Sequence, residues 1–541
     1  MSEAFDFIIV GAGSAGCVVA DRLTASGRYR VLLLEAGGSD RSPFIQVPIG
    51  YGRTFFDPKI NWMYDTEPSP ELDGRQSYWP RGKVIGGSGS INAMVYVRGL
   101  PSDYDGWAAD GADGWSFADV LPYFKKSERF EGGETPFHGV DGPMHVTDLT
   151  HRAHPLCQTF FAAAENLGFS RSADFNGAKP EGVGLYHINT DKGVRASTAN
   201  AFLRPALSRA NLELRTGAQV LNITLEAGRA TGVTYRRGGV AQAATARAEV
   251  ILCAGAVNTP HILQVSGIGD PVLLRHFNIP VAVESPHVGK NLQDHLAVSY
   301  FYRCNQPTLN DVLGPLSGKI KAGLQYLINR SGPLALSVNQ AGGFVRSREG
   351  LSAPDLQLYF SPVSYSQTPL AKRELINPDP FSAFLLSFNA CRPQSRGEIR
   401  LAGPDPLARP IILPNYLSHA DDIADAQRGV ALLRRLAATE PLAGVITEEI
   451  APGAHLETLE ELMQDFRARA DTVYHPVGTA RMGAKETGAV VDSSLRVFGL
   501  DGLRIIDASV FPRLTSGNTN APVVMVAEKG VERVLADAQT S

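Results

Sequence analysis

An apolar run from Phe5 to Val10 is followed at once by Gly11-Ala-Gly-Ser-Ala-Gly16. From Ser14 to Ala25 the composition is helical, and Arg30 to Leu34 is a second apolar run that stops at Glu35. Short uninterrupted apolar runs bounded by glycine suit strands buried on both faces, and a helix between two of them makes a parallel β-α-β unit. Residues 245–254 form another strand candidate, leading into Gly255 and a helical pattern around His261 to Gln264. Leu503 to Ile506 repeats the pattern before Asp507, and Ala521 to Leu535 reads as a closing helix. The stretch from about Ser39 to Asp105 is rich in glycine, proline and aromatics and reads as irregular extended chain.

Strands of one α/β domain thus occur at the beginning, middle and end of the chain. The stretches between them mix alternating segments, such as Asp355 to Phe360, with helical ones, such as Asp421 to Thr439. The pattern predicts an α/β fold in which residues 1–150, 196–300 and 476–541 form a dinucleotide-binding domain, and 151–195 with 301–475 form a discontinuous second domain. A length of 541 residues fits this division, being more than one hydrophobic core usually serves. No internal repeat or long low-complexity tract interrupts it.

Composition narrows the function. Lys and Arg total 51 against 55 Asp and Glu, so no nucleic-acid partner is expected. Five cysteines, Cys17, Cys157, Cys253, Cys304 and Cys391, are widely spaced without a CxxC or Cys/His cluster. Neither a metal site nor a disulfide framework is expected, and a reducing cytoplasm is the simplest setting. The acidic start carries no positive n-region, and no apolar run reaches the length of a membrane span. Peripheral membrane contact stays open.

Gly11, Gly13 and Gly16 fit G-x-G-x-x-G between a strand and a helix, with Glu35 and Ala36 ending the next strand. Gly11 permits the tight turn, Gly13 lets backbone approach a pyrophosphate, and Gly16 lets helix and strand pack closely. Ser14 and Ala15 open a helix whose free N–H groups favour phosphate. Glu35 can accept hydrogen bonds from ribose hydroxyls and would repel a 2′-phosphate, which disfavours NADP. The motif does not separate FAD from NAD. The absence of a second such motif suggests that electrons enter from the other substrate.

The segment Gly82-Lys-Val-Ile-Gly-Gly-Ser-Gly-Ser-Ile-Asn92 resembles the first signature of the glucose-methanol-choline oxidoreductases, and Gly255 to Gly269 resembles their second. Val288 to His295, Tyr474 to Thr479 and Ser516 to Pro522 are similar to further family segments, in the family's order. The nearest branch looks like choline dehydrogenases and aliphatic alcohol dehydrogenases. The resemblance implies an FAD-binding Rossmann-like domain with an α+β substrate domain on an antiparallel sheet. It implies alcohol oxidation and a set of cofactor contacts: Gly86, Ser90, Asn92, Ala93, Met94 and Val95 near the flavin, Val220 at adenine, and Asp507, Ala508, Asn518 and Thr519 along the rest. Some members attach FAD through a histidine at the position held here by Ile91, so FAD is expected to be non-covalent.

Oxidising an alcohol removes a hydroxyl proton and a carbon-bound hydride. Flavin can take the hydride, and His475 resembles the family's catalytic base. Asn518 matches the second active-site position, where an amide would hold the substrate oxygen. His295 is expected to support structure, and Asn520 to act either as a turn residue or as a flavin contact. Gln340 stands where choline-type members carry a glutamate, so a neutral aliphatic or aromatic primary alcohol is expected over choline. Oxygen and quinone remain alternative acceptors. The rival readings are an oxygen-using alcohol oxidase and a non-redox lyase or photodecarboxylase of the same family. A third rival is a nucleotide-binding structural protein, which the flavin-proximal signatures disfavour.

Overall fold

The computed structural model describes residues 3–366 and 377–540. Its first strand is Glu3–Val10, its first helix Ser14–Thr24 and its second strand Val31–Leu34. The two strands pair in parallel, with Phe7 opposite Val31 and Val10 opposite Leu34. All four residues of the second strand are buried, as the continuous apolar run requires of a strand covered on both faces. Leu212–Arg215 adds outside it in parallel. On the other side lies Val240–Leu252, longer than the expected 245–254 segment at its start.

That thirteen-residue strand serves two neighbourhoods. Its amino half pairs antiparallel with Arg229–Arg237, which pairs in turn with Ala218–Glu226. Its carboxyl half pairs in parallel with Leu503–Ile505. The parallel strands therefore end together, at Val10, Leu34, Leu252 and Ile505. The turns that follow, Gly11, Glu35, Cys253 and Asp507, gather at one edge. In open α/β sheets that carboxyl edge is where ligands bind.

A second seven-stranded sheet is antiparallel along its path. In spatial order it runs Ile446–Ala451, Leu296–Cys304, Ala383–Ala390, Leu356–Ser361, Ala341–Val345 and Gly182–Leu185, with the short strand Asp471–Thr472 also on Leu296–Ala297. Strand Leu296–Cys304 is continuous through residue 300, so the expected division there falls inside one strand. The helix Ala420–Ala437 packs on one face of this sheet. A Cβ at Gly429 would lie 1.9 Å from the Phe388 ring, which is why glycine stands there. Val298, Tyr300, Tyr302, Phe384, Leu386 and Phe388 point into that core. Their alternating neighbours point the other way, toward the first domain.

The closing helix runs Asn520–Thr540, longer than its expected span, and lies against the first helix. Arg22 donates to the fully buried Glu528 across that contact at 2.6 Å. All five cysteines are buried and none forms a disulfide. Among the described residues no helix is long and apolar enough to cross a membrane, and no group of three or more His, Cys, Asp or Glu side chains could hold a metal ion.

A Cβ at Gly16 would stand 1.9 Å from the Gly11 carbonyl oxygen and 3.3 Å from the Cys253 side chain. Gly16→Ala should therefore force the first helix off the sheet and lose about 1–3 kcal/mol in denaturant unfolding. Gly106→Ala meets nothing within 4 Å and should be neutral or stabilising. Equal stability of the two variants would contradict this packing.

Candidate active site

A cavity of about 660 Å³ runs from the carboxyl edge of the first sheet to the inner face of the second. At one end it is lined by Gly11, Gly13, Ser14, Ala15, Glu35, Ala36 and Val220. Gly13 is the N-cap of the first helix and offers no capping side chain, so the first-turn N–H groups meet the cavity without one. Glu35 fixes the turn: Ala12 N–H donates to one carboxylate oxygen (2.8 Å) and Gly37 N–H to the other (2.7 Å). Burial pushes the Glu35 carboxyl up to about 7.

The glycine-rich segment at 82–92 closes over this turn. Gly86 N–H donates to the Ala12 carbonyl (2.7 Å), and a Cβ at Gly87 would lie 2.7 Å from the Gly13 Cα. Two backbones meet there with no side chain between them. Asn92, Ala93, Met94 and Val95 continue along the wall. Met94 has φ +63°, a left-handed conformation stabilised by its N–H donating to Asn92 Oδ1 (3.0 Å). The same oxygen accepts from Arg195 Nη1 (2.7 Å). Arg195 is fully buried, and burial lowers its guanidinium to about 9.

Three expected cofactor contacts lie behind this wall. Gly16 packs beneath the first turn, as above. Gly86 faces Ser90 and Ala199, and Ser90 Oγ donates to the Ile85 carbonyl (2.7 Å). These residues shape the loop and do not line the cavity. Asp507 does line it, but its carboxylate is fully engaged. One oxygen accepts from Gly255 N–H and Thr259 Oγ, the other from Ser509 N–H and Oγ. It ties the second signature helix, Gly255–Val265, to the last strand. Ala508, Asn518 and Thr519 complete that side. Asn520 accepts from Ser14 Oγ (2.9 Å), so it holds the first helix against the closing one.

His475 and Asn518 meet in this cavity. Residues 293–297 run antiparallel to 471–477, with Leu296 opposite Thr472 and Gln293 opposite Val477. That pairing brings His295 to His475. The His295 and His475 Nδ1 atoms are 2.9 Å apart, and His295 Nε2 is 3.0 Å from the Cys391 carbonyl oxygen. A carbonyl only accepts, so His295 Nε2 carries the proton. Burial lowers His295 to about 4, so the ring is neutral and its Nδ1 must accept. The proton between the rings therefore sits on His475 Nδ1. Burial, followed by the influence of His295 and Arg81, lowers His475 well below the usual imidazole value. Its Nε2 is then a lone pair, and Asn518 Nδ2 donates to it at 3.0 Å. The buried Asn518 Oδ1 is left without a partner within the protein, as a side chain facing a ligand would be.

The backbone of His475 is held equally firmly. Its N–H donates to Asp294 Oδ1 (2.7 Å), while Asp294 Oδ2 accepts from Tyr416 and Thr472 hydroxyls at 2.5 Å each. Burial raises the Asp294 carboxyl to about 6. Tyr474 has φ +70°, a conformation that costs a bulky residue on the order of 1–3 kcal/mol. Its N–H donates to Thr472 Oγ1 (2.7 Å), and its carbonyl accepts from Arg81 Nη1 (2.8 Å). On the other side Ser516 N–H and Oγ donate to the buried Asp103, fixing the loop that carries Asn518.

Beyond the pair, Ala297, Ser299, Phe301, Leu385 and Ser387 supply the second sheet's inner face. Tyr51, Phe55 and Tyr474 form a run of edge-on and tilted rings at 5.8 and 5.4 Å. Gln340 is absent from the lining. Its side chain is buried, with Oε1 accepting from the His154 N–H (2.7 Å), and its neighbour Asn339 faces the cavity instead. The sequence reading gave His295 a structural role and did not single out Asp294, Arg81 or Arg195. His295 stood in a noted motif, but its partner lies 180 positions away. Nothing in the local sequence marks the two arginines.

FAD fits these residues. The uncapped helix, the Gly13–Gly87 backbone contact and the orphan Asn518 oxygen form a continuous cradle of the kind a dinucleotide with a planar ring would fill.

The GMC oxidoreductase family model matches residues 5–297 with its N-terminal part and 393–527 with its C-terminal part. The oxygen-dependent choline dehydrogenase of Photobacterium profundum is 41% identical over 544 residues, covering 100% of this chain and 94% of that protein. The mitochondrial choline dehydrogenase of Mus musculus is 42% identical, covering 98% of this chain and 89% of that protein. Among solved structures, pyridoxine 4-oxidase from Mesorbium loti superposes with a TM-score of 0.88 at 31% identity, covering 98% and 99% of the two chains. The chain belongs to the GMC oxidoreductases, an FAD-using family of enzymes that act on CH–OH donors.

Proposed function

We propose that this enzyme oxidises a primary alcohol to the aldehyde, with His475 as general base and Asn518 as the donor that holds the substrate oxygen. The observation that carries this reading is the hydrogen-bond chain from Cys391 through both histidines, which leaves an uncharged Nε2 lone pair at the cavity. FAD, when bound, supplies the hydride acceptor. His475 Nε2 takes the hydroxyl proton as the carbon–hydrogen bond breaks. The Asn518 amide then donates to the oxygen, where negative charge develops. The imidazole needs no prior deprotonation at neutral pH, because burial already keeps it neutral.

The flavin is held without a covalent bond in this reading, since Ile91 at the attachment position offers no nucleophile. Oxygen or a quinone takes the electrons onward. Choline is a second reading, favoured by what the two relatives are named for and by the Tyr51, Phe55 and Tyr474 rings, which suit a quaternary ammonium. The expectation against choline rested on Gln340 facing the substrate. With that side chain turned onto His154, the position gives no information on charge. Turnover of choline compared with neutral primary alcohols of similar size decides between the two.

In anaerobic mixing with a primary alcohol, His475→Ala should reduce its flavin about a thousandfold more slowly than the parent enzyme. Its flavin content should be unchanged, and acid precipitation should leave the yellow colour in the supernatant. Reduction at the parent rate would defeat the base assignment, and a yellow pellet the non-covalent one. Failure of the parent flavin to bleach with any alcohol would favour a non-redox member of the family.

The pH profile of kcat/KM follows from the lowered His475 value. The base is active when neutral, so activity should hold as pH falls through the usual histidine value of ~6.5 and decline only below it. A decline centred at or above that value would contradict the buried, neutral imidazole.

A further inference from the structure

The helix Leu316–Asn329 carries an apolar face that none of the described residues covers. Leu316, Ile320, Leu324, Leu327 and Ile328 are each more than half exposed, and they make up five of the eleven exposed large apolar side chains among the described residues. At ~100° per residue these five fall within an arc of roughly 120° on one side of the helix. Ala322 and Tyr326, on the opposite side, are the residues it buries. Lys321 and Lys319 flank the two edges of the arc, and Arg330 follows the helix end. The helix contains no acidic residue. Among the described residues neither lysine has an ion-pair partner. The nearest acid before it in the chain, Asp311, accepts from Ser382 Oγ at 2.9 Å.

We propose that this helix docks the enzyme at an anionic lipid bilayer, its apolar arc among the acyl chains and its flanking cations at the headgroups. The face is a convex ridge with cations along both edges. A helix lying in a membrane interface has this arrangement, with long basic side chains reaching back to the phosphates. A second copy of the chain fits the charge less well, because the same helix would bring lysines and no anion to meet them. The position also has a consequence for the site. Ala322 packs in one apolar cluster with Tyr51, Met94, Val338, Val363 and Tyr365, all of which line the cavity. Docking would thus set the substrate end of the cavity against the lipid, where an alcohol or acceptor dissolved in the bilayer is concentrated. The proposal rests on the surface alone and stands whichever alcohol is oxidised.

The test is co-sedimentation of the flavin-loaded full chain with vesicles of phosphatidylcholine, with and without phosphatidylglycerol. The expected result is binding to the anionic vesicles that weakens with salt. It should fall about tenfold in the double variant Leu324→Gln, Leu327→Gln, and also in Lys319→Gln, Lys321→Gln. Oxidation of a short water-soluble alcohol should be unchanged in both variants. Absence of vesicle binding, or binding that neither variant weakens, would overturn the proposal. So would a parent dimer that the leucine variant converts to monomer without any vesicle binding, which would make the face an interface between copies.

Discussion

A peptide carbonyl can only accept a hydrogen bond, and the active site is organised from one such group. The Cys391 carbonyl fixes the proton on one side of His295, and His295 then fixes it on His475. Two neutral rings in contact can share only one proton between them, so each assignment forces the next. Burial makes the arrangement stringent, because an imidazolium within it would lack both solvent and a carboxylate. The result is a lone pair aimed at Asn518. Asp294, Tyr416 and Thr472 hold the backbone around it, and Arg81 holds the strained Tyr474 that precedes it.

Both domains are needed to build this arrangement. The parallel sheet brings Gly11, Glu35, Cys253 and Asp507 to one edge, where the glycine-rich 82–92 segment closes on them. The antiparallel sheet supplies His295 and Cys391 from neighbouring strand ends, and its alternate side chains wall the far part of the cavity. The buried carboxylates here are engaged by backbone N–H or hydroxyl donors. Asp103, Asp294 and Asp507 each fasten a loop that carries cavity residues.

What the sequence disclosed depended on how local the cause was. The β-α-β opening was legible because its strands are apolar on both faces and its turn is glycine, and the observed bounds differ by one or two residues. Glu35 directly follows the second strand, where the sequence placed it, and its carboxylate accepts from the Ala12 and Gly37 N–H groups. His475 and Asn518 were singled out by their surrounding motifs, and the fold brings the two side chains together. Gln340 was misread through a single-residue matter of orientation: it immediately precedes the strand Ala341–Val345, and neighbours along an extended chain face opposite ways, so Asn339 meets the cavity and Gln340 does not. His295 was read as structural because its effect depends on a strand pairing with residues 471–477, and no local pattern encodes that partner. Arg195 and Arg81 were invisible because a buried arginine looks like any other until its burial is seen.

Neutron diffraction from deuterium-exchanged crystals at neutral pH observes the protons of this chain directly. The account predicts deuterium on His295 Nε2 and on His475 Nδ1, with none on His475 Nε2. Deuterium on His475 Nε2, or on His295 Nδ1, would contradict it.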